Sequence, residues 1–109
     1  MKNKGGNIIV KHIILWKLKS TLTEEEKVGI KAGIKEGLES LQGKIPGLLE
    51  IKVVMGDTLA SSNMDLMLDS TFEDESSLKN YSGHPDHVAV ANTKVRPYTE
   101  VRSCLDFLC

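Results

Sequence analysis

The stretch Val10–Leu18, VKHIILWKL, places apolar side chains on both sides of a strand. Val10, His12, Ile14, Trp16 and Leu18 fall on one side by simple alternation, and Lys11, Ile13, Leu15 and Lys17 on the other. Such a strand needs cover above and below, because an uncovered face with this much apolar surface is rare on a monomer.

The remaining periodicities supply the cover. Thr23 followed by Glu26 is a capping-box pattern with an acidic first turn, and Ile30, Ile34, Leu38, Leu41 and Ile45 recur at helical spacing, predicting a long helix that ends near Gly43. Pro46-Gly47 breaks it. A second strand, Leu48–Met55, sets Leu49, Ile51, Val53 and Met55 against Glu50 and Lys52. After a polar loop over Gly56–Asn63, a third strand over Met64–Phe72 sets Leu66, Leu68 and Phe72 against Asp65, Asp69 and Thr71, in a hairpin with the second. Asp74-Glu75-Ser76-Ser77 opens a short helix carrying Leu78 and Tyr81, and Gly83 interrupts it. Pro85 suits the first turn of another helix, whose stripe Val88, Ala91 and Val95 runs until Arg96-Pro97. Val101–Leu108 is the last strand.

The order βαββαβ predicts an α+β domain over residues 10–109, with two helices on one face of a four-stranded antiparallel sheet, and residues 1–9 as a flexible tail. The face without helices needs a partner. A second copy packed sheet to sheet, in a closed two-fold homodimer, is the commonest solution.

Composition narrows the function classes. Fourteen basic against fifteen acidic residues leave no basic face dense enough for nucleic acid. Lys11, His12 and Lys17 interrupt the early apolar run, so neither a signal-peptide core nor a membrane span is expected. Cys104 and Cys109 sit on opposite faces of the last strand, which favours free thiols and a reduced, cytoplasmic setting. They are too far apart for a metal pair, and His84 and His87 are separated by the proline that starts a helix, so no metal or other cofactor is expected. Gly29, Gly33 and Gly37 form a flat stripe on the first helix, read either as a close approach to a neighbour or as simple tolerance.

The chemistry-bearing residues concentrate in Tyr81-Ser82-Gly83-His84-Pro85-Asp86-His87, with two of the three histidines and a phenol in one short run. His12 lies on the same strand face as Ile14 and Trp16. Plain structural roles stand beside functional ones: His84 at a helix start, His87 packed against the first strand, Tyr81 as a core aromatic, His12 as a satisfied buried histidine.

The segments VKHIILWKL, IPGLLEIKVVMGD, STFEDESSL, YSGHPDHVAV and VRPYTEVRSCLDF together resemble the stress-responsive dimeric α/β-barrel (Dabb) family, from about Val10 to Phe107. The resemblance implies a ferredoxin-like βαββαβ protomer whose sheet joins a second one in a barrel across a dimer. It implies either a domain that holds a small apolar or aromatic molecule in the barrel, or a cofactor-independent enzyme similar to plant polyketide cyclases or to monooxygenases of the wider barrel type. In that enzyme His87 is the general base and Tyr81 the residue that holds the oxygen. His12, Trp16 and His84 are the candidate ligand-binding residues. An imidazole can take a proton from a carbon beside a carbonyl, and a phenol can donate a hydrogen bond to the enolate oxygen that results. The start of a helix would favour the neutral imidazole at position 87.

Overall fold

The computed structural model describes residues 9–109, so the expected tail, apart from Ile9, lies outside them. Strand β1 spans Val10–Leu18, helix α1 Glu24–Glu39, β2 Leu48–Val54, β3 Leu66–Phe72, α2 Glu75–Gly83, α3 Pro85–Val90 and β4 Thr99–Leu108. Between α3 and β4 the chain makes a π turn over Ala91–Val95 and a 3-10 turn over Arg96–Tyr98. The sheet order is β2-β3-β1-β4, with every neighbouring pair antiparallel. Strand β1 lies inside the sheet, between β3 and β4. Ile9 accepts a hydrogen bond from the Cys109 amide at 2.8 Å, which extends the β1–β4 seam by one step.

Local chemistry accounts for most of the element boundaries. The Thr23 hydroxyl accepts from the Glu26 amide at 3.0 Å, while the Glu26 carboxylate accepts from the Thr23 amide at 2.8 Å, so both halves of the capping box form. Asp74 caps α2 through the Ser77 amide at 2.8 Å. Helix α1 stops at Glu39, earlier than the apolar spacing predicted. Leu41 and Ile45 are nevertheless buried, in the turns that follow, where Gly43 takes a φ of 82°. Gly47 also has a left-handed φ, 81°, and a Cβ there would collide with Ser77, so the turn into β2 packs directly on α2.

Strand β2 corrects one expectation. Its pairing with β3 slips between Leu48 and Glu50, and this irregularity turns Leu48 into the core and Leu49 out to solvent. Ile51 and Val53 face inward as expected. Of the three glycines on α1, only Gly37 makes a close approach, with its Cβ position 3.0 Å from a Val90 methyl carbon. Gly29 and Gly33 face open space.

The helices cover one face of the sheet, where Val10, Ile14, Trp16, Leu18, Leu68 and Phe72 meet Ile34, Leu38, Tyr81 and Val95 in one core. The opposite face carries Ile13 and Leu15 from β1 beside Leu105 and Ser103 of β4. Leu105, Phe107 and Val101 remain 63%, 42% and 40% exposed on it. Trp16, only 5% exposed, predicts native fluorescence well to the blue of free tryptophan and a red shift on unfolding. Native emission at the position of the free amino acid would contradict this core.

Candidate active site

Sequence-distant residues converge under the helical layer. Because β1 and β3 pair antiparallel, His12 lies opposite Ser70, whose buried hydroxyl donates to the His12 carbonyl at 3.0 Å. On the other side β4 sets Asp106 opposite His12 and Arg102 opposite Trp16. The His12 Nδ1–H donates to Asp106 Oδ1 at 2.5 Å, which holds the ring with Nε2 unengaged by this pair. From above, Asp74 starts α2 so that Tyr81 points down at the sheet, and Pro85 starts α3 so that His87 follows it.

The result is a partly open cavity of about 90 Å³ whose lining includes His12, Trp16, Tyr81, His87, Arg96 and Arg102. Four of the five residues singled out from the sequence share it. His84 does not: its Nδ1 accepts from the Asp86 amide at 3.1 Å, capping α3. Wider depressions of about 260 to 400 Å³ lie over the loop after β2, along α1 and at the strand ends, but they are open grooves away from the histidines.

Three aromatic rings pack in series, from Phe72 in the core to His87 at the cavity. Phe72 and Tyr81 are 5.0 Å apart in an edge-on pair, and Tyr81 and His87 are 4.1 Å apart and tilted by 37°. Tyr81 is 1% exposed, and its hydroxyl has no hydrogen-bond partner among the described residues. Burial holds the phenol's pKa far above its ordinary value, against a smaller opposing effect of the Arg102 charge, so the hydroxyl is a donor that keeps its proton.

His87 donates its Nδ1–H to the Ser82 carbonyl at 3.3 Å, since a carbonyl can only accept. The lone pair is thereby on Nε2. Its pKa lies below the ordinary value, chiefly through burial, with further lowering by Arg96, His12 and Arg102 and a partly offsetting contribution from the Ser82 bond. The direction agrees with the neutral imidazole expected from the sequence, but burial and positive neighbours cause it in place of the helix start. The unfolded chain therefore takes up the proton near pH 6.5, before the folded one does. The stabilising contribution is present above that pH and is lost as pH falls through the folded pKa. Melting temperatures between pH 7.5 and 5 should consequently fall more steeply for the wild type than for His87→Gln; parallel curves would contradict this reading.

Sequence reasoning missed Arg96, Arg102 and Asp106. No local signal marks Arg102 or Asp106, since their placement depends on the register of β4 against β1. Arg96 is aimed by the π turn, whose wider coil also presents Ala91 and Val95 to the cavity. Ligand atoms of His12, Cys104 and Asp106 lie within 4.8 Å of one another, a grouping that could hold a metal ion. The Cys104 thiol is pushed up in pKa by burial and by Asp106, which opposes the thiolate that ligation requires. Both cysteines are free, and no helix among the described residues is long and apolar enough to cross a membrane.

Comparison with known proteins places this geometry in context. The Stress Responsive A/B Barrel Domain (Dabb) profile matches residues 10–109. The chain belongs to the Dabb family. A dimeric ferredoxin-like protein of unknown function from Bacteroides fragilis NCTC 9343 is 32% identical, with 93% of this chain and 96% of that one aligned at a TM-score of 0.86. A second dimeric ferredoxin-like protein, from Thermobifida fusca, is 22% identical over 94% of this chain and 92% of that one, with a TM-score of 0.75. The hydroxynitrile lyase of Passiflora edulis shares the fold at 23% identity, 93% coverage of each chain and a TM-score of 0.69. No curated protein matches this Dabb chain.

Proposed function

We propose that this protein is a homodimeric, cofactor-independent enzyme in which each protomer binds a compact carbonyl compound and moves a proton on it. The observation that carries the reading is the Tyr81 hydroxyl, buried without a partner among the described residues on a side chain that lines one cavity with His87. A buried donor left unpaired costs about 1 to 3 kcal/mol, and a ligand oxygen that accepts from it recovers that cost. At about 90 Å³ the cavity is smaller than the roughly 150 Å³ that takes a benzene molecule, so a bulky aromatic ligand fits less well than a small one.

The chemistry balances with side chains alone. His87 Nε2 takes a proton from the carbon beside the carbonyl, the C–H electron pair moves into a carbon–carbon double bond, and the carbonyl oxygen becomes an enolate. Tyr81 donates a hydrogen bond to that oxygen. The imidazolium returns a proton to carbon or to a later intermediate. Dimerisation through the open sheet face leaves this machinery undisturbed, because the cavity lies on the helical side of the sheet. The exposed Val101, Leu105 and Phe107 support that mode of association, and the relatives from Bacteroides fragilis and Thermobifida fusca, described as dimeric, support a homodimer without bearing on its face.

Acetone in deuterated buffer tests the reading. The wild type should speed the loss of the methyl proton signal over buffer alone, and Tyr81→Phe should lose most of that acceleration. A wild-type rate equal to the buffer rate, with no change in the His87 ring resonances, would remove the proposal.

A further inference from the structure

We infer that the substrate is an oxo-carboxylate, its carboxylate held at the mouth of the cavity by Arg102 and Arg96 and its carbonyl presented to Tyr81 and His87. The inference rests on the proposed proton-transfer site and names its substrate class. Two guanidinium groups line a small cavity, and none of the ion pairs among the described residues involves either of them. Among the described residues the Arg96 guanidinium donates to the Asn92 side-chain oxygen, at 2.5 Å, and to no carboxylate. The acidic groups nearest to Arg102 along β4 are engaged elsewhere: Glu100 accepts from the Ser20 amide at 2.6 Å, and Asp106 from His12 at 2.5 Å.

The interior adds an independent sign of a missing ligand. Tyr81 lines the same cavity, and its buried hydroxyl has no partner among the described residues, while two guanidinium forks complete the lining. A planar carboxylate matches a guanidinium fork, and a carbonyl one or two bonds away reaches inward to the phenol. Beyond the larger effect of burial, the charges of the two arginines also lower the proton affinity of His87. An anion bound between the arginines neutralises part of that charge and makes His87 a stronger base. By reciprocity, substrate binding and His87 protonation favour each other.

Pyruvate and 3-methyl-2-butanone have the same heavy-atom skeleton, with methyl groups replacing the carboxylate oxygens in the ketone, and both are titrated into ¹⁵N-labelled protein. Pyruvate should shift the amides of Tyr81, His87 and Arg102 and raise the His87 pKa. Its Kd should rise about tenfold in Arg102→Gln, the loss of one charge-assisted contact at an exposed mouth, and further in the Arg96→Gln, Arg102→Gln double variant. The neutral ketone should bind more weakly and be indifferent to both changes. Equal affinity for the two compounds, or a pyruvate Kd unchanged in Arg102→Gln, would overturn the carboxylate assignment. Deuterium exchange into the methyl group adjoining each carbonyl separates this outcome from failure of the underlying reading. Exchange on both compounds without preference sinks the carboxylate site alone; arginine-dependent pyruvate binding without exchange on either sinks the proton transfer alone. Absence of binding by both compounds sinks both.

Discussion

His87→Ala should leave the protein folded while reducing carbonyl proton exchange by a factor of about 10² to 10⁴, the usual contribution of a positioned general base. The asymmetry follows from what the side chain touches. His87 is half-buried, and its hydrogen bond to the Ser82 carbonyl is long, at 3.3 Å. Losing a bond of that quality costs at most about 1 kcal/mol. Its other contact, the tilted stack on Tyr81 at 4.1 Å, leaves the phenol in place through Phe72 beneath it. Thermal unfolding and exchange are measured on the same preparations, with His87→Gln as a better-filled control. A large drop in melting temperature without a selective loss of exchange would make His87 a structural residue and end its assignment as base.

Leu105→Lys should break the dimer. In a two-fold interface the substitution appears twice, and burying a leucine contributes about 1.5 to 3 kcal/mol, so the pair of changes removes about 3 to 6 kcal/mol and weakens association by roughly 10² to 10⁴. Leu105 faces the sheet side that the helices leave open, opposite Ile13, and is 63% exposed in the single chain. Light scattering at micromolar concentration should give about twice the chain mass of 12.0 kDa for the wild type and close to the chain mass for the variant. A wild type that stays monomeric at that concentration would overturn the proposed assembly.

Much of the architecture is legible along the chain because its signals are local. Alternation in VKHIILWKL marks β1 and its two faces, the Thr23–Glu26 pair starts α1 where expected, and Pro85 marks the start of α3. The concentration of Tyr81 and His87 in one short run was visible for the same reason. The slip at Leu48–Glu50 was not, since an irregular pairing leaves alternation intact in the sequence and only the partner strand reveals which leucine turns inward. Nor does the segment Ala91–Val95 announce a π turn, because it keeps ordinary helical composition.

The residues of the chain therefore determined the βαββαβ order, the helix starts and the position of the tyrosine and histidines within it. Only the tertiary structure decided that His12, Tyr81 and His87 line one cavity together with Arg96 and Arg102. Helical and strand periods encode which side of its own element a residue occupies. Which residues of another element stand opposite is a matter of sheet register and helix placement, and packing across the whole domain sets both.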